Sequence, residues 1–283
     1  MKVTNNIQEV RQIRWQHPGA SWGVVPTMGY LHEGHVSLVR RARAENDCVA
    51  ATIYVNPTQF APTEDLSTYP RDLPRDLALL EAAGADLVFT PDDAIMYPAG
   101  FQTYVTVEQV TQMLEGASRP THFRGVATVV AKLFNILQPT RAYFGQKDYQ
   151  QTAVLRHMVH DLNYHLELIV CPTVREADGL ALSSRNKYLD PAQRAAATVL
   201  SRALAAGITA LQEGEGDAEQ LCAAMRAITA AEPLARLDYI SAADPITLAE
   251  LAEIREGAVL STAVFFGRTR LIDNMIWQLT VDD

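Results

Sequence analysis

The stretch Thr27-Met28-Gly29-Tyr30-Leu31-His32-Glu33-Gly34-His35 decides how the chain is read. An apolar run, Gly23-Val24-Val25-Pro26, precedes it, and an alternating apolar and basic segment, Val36-Ser37-Leu38-Val39-Arg40-Arg41-Ala42, follows. That order predicts a strand, a tight loop and a helix. Gly29 suits a backbone turn that a side chain would obstruct, and Gly34 lets a ligand come close to the helix start. The first amides of a helix have no partners within it, and the helix dipole makes that end positive, so it suits an anion such as phosphate. His32 and His35 share one face of the first turn, where two imidazoles can donate hydrogen bonds to phosphate oxygens. A helix N-terminus also favours the neutral, donor form of a histidine. Zinc is the weaker reading: the metalloprotease pattern places its histidines four apart around a glutamate, and no third ligand stands nearby.

Outward from this stretch, strands and helices alternate. Asn5 or Asn6 is placed to cap a helix running to about Trp15. Residues 48–55 form a nearly continuous apolar and β-branched run, as expected of a buried parallel strand, and Asn56-Pro57-Thr58-Gln59-Phe60 ends it. A helix over about 73–83 and a strand at 85–89 follow. Residues 95–120 are less regular, with one candidate edge strand at 103–107. A buried helix is expected over 125–137, a strand at 141–144, a helix over 148–162 and a fifth strand at 166–171. This alternation predicts an α/β fold with a Rossmann-like parallel sheet and right-handed crossovers. No G-x-G-x-x-G is present, so a dinucleotide-binding reading has no support.

From about Asp178 the character changes. Asp190 caps an alanine-rich helix with Pro191 at its first position, running to about Leu211, and a second helix covers about 218–231. Strand-like runs follow at 237–242, 258–266 and near 271–279. The expected organisation is a first domain over 1–175 and a smaller α+β C-terminal domain over 176–283, with a hinge near 174–179. In open parallel sheets, ligands bind outside the carboxyl ends of the strands. The unusual polar residues fall there repeatedly: His32 and His35, Asn56 and Gln59, Gln146-Lys147-Asp148, and Ser183-Ser184-Arg185.

Bulk properties narrow the function classes. The 283 residues carry a net charge of −9, with 48% hydrophobic and 20% charged residues, and the basic residues are scattered. A broad nucleic-acid or anionic-membrane surface is not expected. Cys48, Cys171 and Cys222 lie far apart without metal-type spacing, as in a reducing compartment. No signal-type segment and no apolar run of about 20 residues stands out, and a cytoplasmic location is expected.

Other stretches carry chemistry of their own. In Phe144-Gly145-Gln146-Lys147-Asp148-Tyr149-Gln150-Gln151, Lys147 can neutralise phosphate charge, and Asp148 can cap a helix or reach Mg2+ through water. Gln151 lies one turn on from Lys147. A solvated charged turn is the plainer reading of that stretch. In Leu182-Ser183-Ser184-Arg185, two hydroxyls and a forked guanidinium suit a phosphate clamp, with a helix cap as the plainer alternative.

Pro26-Thr27-Met28-Gly29 running into Leu31-His32-Glu33-Gly34-His35 resembles the HIGH-type signature of the nucleotidyltransferase superfamily, and more narrowly that of the pantoate–β-alanine ligase family. Three further stretches resemble the same family in order and spacing: residues 56–60, 144–151 and 179–186. Leu114-Glu115-Gly116-Ala117-Ser118-Arg119-Pro120 with His122-Phe123-Arg124-Gly125 also agrees, Arg119 being the stronger candidate of the two arginines. The resemblance implies ATP-dependent ligation of pantoate and β-alanine through a pantoyl-adenylate, with AMP and pyrophosphate released and Mg2+ accompanying the nucleotide.

It assigns His32, His35, Lys147 and Arg185 to catalysis. The ATP site would comprise Met28, Gly29, Tyr30, Leu31, His32, Glu33, Gly34, His35, Gly145, Gln146, Lys147, Asp148, Val174, Leu182, Ser183, Ser184 and Arg185. Gln59, Gln151, Asn56 and Arg119 would take pantoate or β-alanine, and Asp148 is the weak metal candidate. Val174 would contact adenine through its backbone. Relatives often carry Met at the position of Leu182, a swap expected only to repack the nucleotide pocket. His35 is either a proton donor or a hydrogen-bond stabiliser. A homodimer and a lid role for the C-terminal domain are implied as well. The alternatives are a HIGH-type nucleotidylyltransferase for another acceptor, a tRNA-synthetase-like activator, disfavoured by the acidic chain, and a non-catalytic nucleotide binder.

Overall fold

A computed structural model describes residues 1–61 and 64–279. In chain order the elements are β1 (Lys2–Thr4), α1 (Ile7–Gln16), β2 (Trp22–Thr27), α2 (Glu33–Glu45), β3 (Cys48–Ile53), α3 (Leu73–Ala82), β4 (Leu87–Phe89), α4 (Asp93–Met96), α5 (Glu115–Ser118), α6 (His122–Leu137), β5 (Arg141–Gly145), α7 (Tyr149–Asp161) and β6 (Glu167–Cys171). They continue with α8 (Pro191–Ala196), α9 (Val199–Gln212), α10 (Ala218–Ala230), β7 (Ala235–Ala243), β8 (Gly257–Phe266) and β9 (Thr269–Gln278). Short 3-10 turns occupy Pro57–Gln59, Gln146–Asp148 and Ser184–Tyr188. The chain divides into two compact units. The first is Met1–Gly145 with Gln151–Pro172, and the second is Gln146–Gln150 with Thr173–Asp283.

The first unit is an α/β layer structure around a six-stranded parallel sheet, in the order β1-β4-β3-β2-β5-β6. The register pairs Thr27 at the end of β2 with Ile53 at the end of β3. The loop after Met28 and the turn after Asn56 therefore leave the sheet from one carboxyl edge, where such sheets bind ligands. Four residues of α2, Val36, Leu38, Val39 and Ala42, join Val25, Leu31, Val49, Leu80 and Tyr143 in the core. Each large aliphatic side chain buried there contributes about 1.5–3 kcal/mol. That packing fixes the axis of α2 and with it the direction in which its first turn points. Helix α6 is buried along most of its length. At its first turn, a Cβ added to Gly125 would lie 2.3 Å from the Thr58 carbonyl oxygen, so only glycine lets the helix meet the 57–59 turn so closely.

Three expectations need correction. Residues 103–107 form no strand: the Val105 N–H donates to the Thr128 hydroxyl of α6 instead of to a neighbouring strand. The sheet has a sixth strand, β1, whose three residues are too short to show a two-residue period. The alanine-rich helix is interrupted at Ala197–Thr198, where i→i+3 bonds such as Thr198 N–H to Ala195 O separate α8 from α9. The first helix is capped by Asn6, whose side chain accepts from the Gln8 and Glu9 amides.

The second unit carries the antiparallel meander β7-β8-β9. Helices α9 and α10 supply Ala203, Leu204, Leu211, Leu221 and Met225 to a core with Ala242, Ala258 and Leu260. The helical stretch Pro191–Gln212 is long and apolar enough to cross a membrane by composition alone, yet half of its most apolar window is buried inside the unit. It is the core helix of this layer.

Candidate active site

The histidine turn is built by three devices within the first unit. Gly29 and Tyr30 adopt positive φ values of 83° and 49°, which turn the chain sharply after β2. Asp76, on α3 and almost wholly buried, accepts the Tyr30 N–H at 2.6 Å and the Leu31 N–H at 2.8 Å. The loop amides thus already hold an internal carboxylate, and the open helix end begins after them, at His32. His32 is the N-cap of α2 in an extended conformation, with Glu33 and Gly34 in the first turn. Its N–H donates to His35 Nδ1 at 3.3 Å, and the two rings stand 4.1 Å apart. A backbone amide can only donate, so His35 Nδ1 is an acceptor and the ring proton sits on Nε2. Glu33 forms an exposed ion pair with Arg40.

Around the Pro57–Gln59 turn the amide orientations are determined by their partners. Asn56 is buried; its Oδ1 accepts from Tyr97 OH at 2.8 Å and from the Thr58 hydroxyl at 2.9 Å. Its Nδ2 donates to Gln59 Oε1 at 3.0 Å and to Gly125 O at 3.2 Å. Gln59 Nε2 in turn donates to Met28 Sδ at 3.2 Å. Both ends of the Asn56 amide are thus engaged within the protein, one of them on Gln59.

Arg119, the residue that ends α5, sits in a partly buried cluster. Its guanidinium pairs with both oxygens of Glu64, at 2.6 and 2.7 Å, and donates to Gln59 O at 3.2 Å. His122 Nδ1 lies 2.8 Å from the same carbonyl, and its Nε2 lies 3.2 Å from Arg119 Nη1. Those neighbours require a neutral imidazole with the proton on Nδ1. Burial, reinforced by the adjacent Arg119 charge, lowers the His122 pKa to about 4. Burial works to raise the Glu64 carboxyl, but the Arg119 hydrogen bonds outweigh it and hold it below the usual range.

In the second unit, Lys147 lies in the Gln146–Asp148 turn that follows Gly145, its Nζ 3.5 Å from the half-exposed Asp148 carboxylate. Val174 and Leu182 close a short hairpin, the Leu182 N–H donating to the Val174 carbonyl at 3.0 Å. Ser183 caps the following 3-10 turn by accepting the Arg185 N–H at 3.2 Å. Ser184 and Arg185 are partly buried in that turn. Gln151 lies in α7, partly buried, and belongs by its contacts to the first unit. Asp76, Tyr97 and His122 had no role in the sequence reading. Each serves a loop far away in the chain, and a lone acidic, aromatic or histidine residue gives no local signal of that.

A Rossmann-like sheet with a HIGH-type histidine turn at its carboxyl edge places the protein in the nucleotidyltransferase class. The profile described as pantoate-beta-alanine ligase matches residues 2–276. Curated relatives include the pantothenate synthetase of Roseiflexus sp. (strain RS-1), 61% identical over 98% of this chain and 99% of its own, and that of Moorella thermoacetica, 57% identical over 98% and 96%. Among solved structures, the pantothenate synthetase of Thermus thermophilus superposes with a TM-score of 0.93 at 50% identity, covering 97% of this chain and 99% of that one. A pantoate-beta-alanine ligase from Francisella tularensis, complexed with beta-gamma ATP and beta-alanine, gives 0.77 at 35% identity over 98% and 97%. The chain belongs to the pantoate–β-alanine ligase family.

Proposed function

We propose that the chain makes pantothenate from pantoate and β-alanine in two in-line steps. The pantoate carboxylate attacks the α-phosphorus of ATP and pyrophosphate leaves; the β-alanine amine then attacks the acyl carbon of pantoyl-adenylate and AMP leaves. Such chemistry needs positioning and charge stabilisation rather than a protein nucleophile. The observation that carries the reading is the His32–His35 cap, in which the backbone holds His35 as an Nε2–H donor at a helix N-terminus. This supports the hydrogen-bond role for His35 over that of a strong acid. The family resemblance adds Lys147, Ser183, Ser184 and Arg185 as sources of positive charge and donors for the triphosphate. Val174 and Leu182 border the adenine, while Gln59, Gln151 and Arg119 receive pantoate and β-alanine.

Among the described residues, no group of three or more side chains of metal-ligand type occurs. Asp148, beside Lys147, is the residue proposed to hold a Mg2+ ion accompanying the nucleotide, through water, as that ion's preference for retained water allows. When bound it neutralises triphosphate charge. The free thiols of Cys48, Cys171 and Cys222 agree with a reducing, cytoplasmic setting. The homodimer implied by the family resemblance is open to sedimentation analysis.

ATP–pyrophosphate exchange without β-alanine tests the first half-reaction. Exchange should require pantoate and collapse in His35→Ala and Lys147→Ala. Exchange indifferent to pantoate would remove the substrate assignment and favour a nucleotidylyltransferase acting on another acceptor.

A further inference from the structure

Lys147 stands in the short Gln146–Asp148 turn, and support for the backbone of that turn comes from the far end of the sequence. Asn274 on β9 is buried, and its Nδ2 donates to Lys147 O at 2.8 Å and to Gln146 O at 3.0 Å, across 127 and 128 residues of chain. Its Oδ1 accepts from Gln146 Nε2 at 3.3 Å. The two donor bonds fix the amide orientation, because a carbonyl oxygen can only accept. Beside it, Asp273 is nearly inaccessible and forms a two-pronged pair with Arg175 at 2.6 and 2.9 Å. Arg175 in turn donates to Gly179 O at 3.1 Å, inside the hairpin that leads to Ser183. Tyr149 OH, just after the lysine turn, donates to Pro245 O at 2.8 Å. Strand β9 also packs against the Ser184–Tyr188 turn.

We propose that Asn274 is the positioning residue for Lys147. With its neighbour Asp273 it indexes both the lysine turn and the hairpin before the Ser183-Ser184-Arg185 turn to one strand, so that the cationic groups for the triphosphate form a single set. Two backbone carbonyls taken by one buried amide leave the Gln146–Asp148 turn little freedom, and the direction of the Lys147 side chain is set by its backbone. Asn274 itself touches no substrate. It acts by keeping the ammonium group where the developing phosphate charge needs it.

The inference rests on the ATP role of Lys147 proposed above, and a double-mutant cycle separates the two. Steady-state kcat/KM for ATP is measured for Asn274→Ala, Lys147→Ala and the double variant, together with thermal unfolding. Asn274→Ala should lower kcat/KM by about 30-fold, and Lys147→Ala by about 1,000-fold. The double variant should then be no worse than Lys147→Ala, since a residue acting only through another has nothing left to act on. Multiplying losses in the double variant would overturn the proposal in favour of a general structural role, as would an Asn274→Ala variant with normal kcat/KM. Should Lys147→Ala itself keep normal kcat/KM, the ATP role of the lysine falls, whatever Asn274 does. If the alanine variant folds poorly, Asn274→Asp keeps the volume and the bond from Gln146 but turns an oxygen toward two carbonyls. It should lose at least as much kcat/KM as the alanine variant, and retention of normal activity would overturn the proposal.

Discussion

The histidine turn and the lysine turn present similar chemistry but are supported in opposite ways. His32 and His35 are organised by residues next to them in sequence: a glycine turn, an N-cap and the first turn of α2. The outside help comes from Asp76, 46 and 45 residues away from the amides it holds. The backbone on which Lys147 rides is held from β9, 127 residues away. A motif that is structurally self-sufficient can be read from its residues. A motif held from a distance shows only its chemistry.

Substitutions can break this contrast, and the largest effect is expected where backbone meets backbone. Gly125→Ala places a methyl 2.3 Å from the Thr58 carbonyl. The cost should exceed the ~3 kcal/mol usual for overpacking, because the obstacle is backbone rather than a flexible side chain. Activity assays and thermal unfolding should show loss of both turn geometry and stability, despite the better helix propensity of alanine. Asp76→Asn comes next. An amide can accept at one oxygen but turns an NH2 toward the second loop N–H, so roughly 3 kcal/mol of stability should be lost. Urea unfolding measures that loss, and a matching fall in kcat/KM for ATP would show that the histidine turn is less self-sufficient than its sequence suggests.

His122 gives a smaller, pH-dependent effect. Its folded pKa of about 4 lies below the unfolded value near 6.5, so the unfolded chain takes up a proton that the native state refuses. Stability should fall as pH drops from about 6.5 to about 4, by up to about 3 kcal/mol, and this contribution should level off below that. The depressed Glu64 carboxyl adds a further loss as pH falls through its own folded value. Urea midpoints across this range should show the limb in the native protein and a flatter one in His122→Asn. Leu182→Met should be the mildest change, under about 1 kcal/mol and without effect on the pantoate dependence of exchange.

Much of the parallel sheet was legible because its strands are buried on both faces and read as apolar runs. The HIGH-type stretch was legible because strand, turn and cap are contiguous. The strand β1 was missed because three residues cannot reveal a period, and 103–107 misled because a β-branched stretch there bonds to a helix side chain. Within the site, Asn56 and Gln59 share one short turn, yet only the tertiary network shows that the first amide is buried and orients the second. His122 and Asp76 were silent because burial and partner identity, not residue type, make them matter.

The placement of Gln146–Gln150 has a consequence for dissection of the molecule. These residues fall between β5 and the body of α7 in the sequence, yet they group with the second unit. A chain cut after Pro172 would leave the lysine turn attached to the histidine half and separated from Asn274. The two halves are therefore not interchangeable cassettes: a chimera that swaps the C-terminal portion between relatives also swaps the mounting of a lysine encoded in the portion it leaves behind.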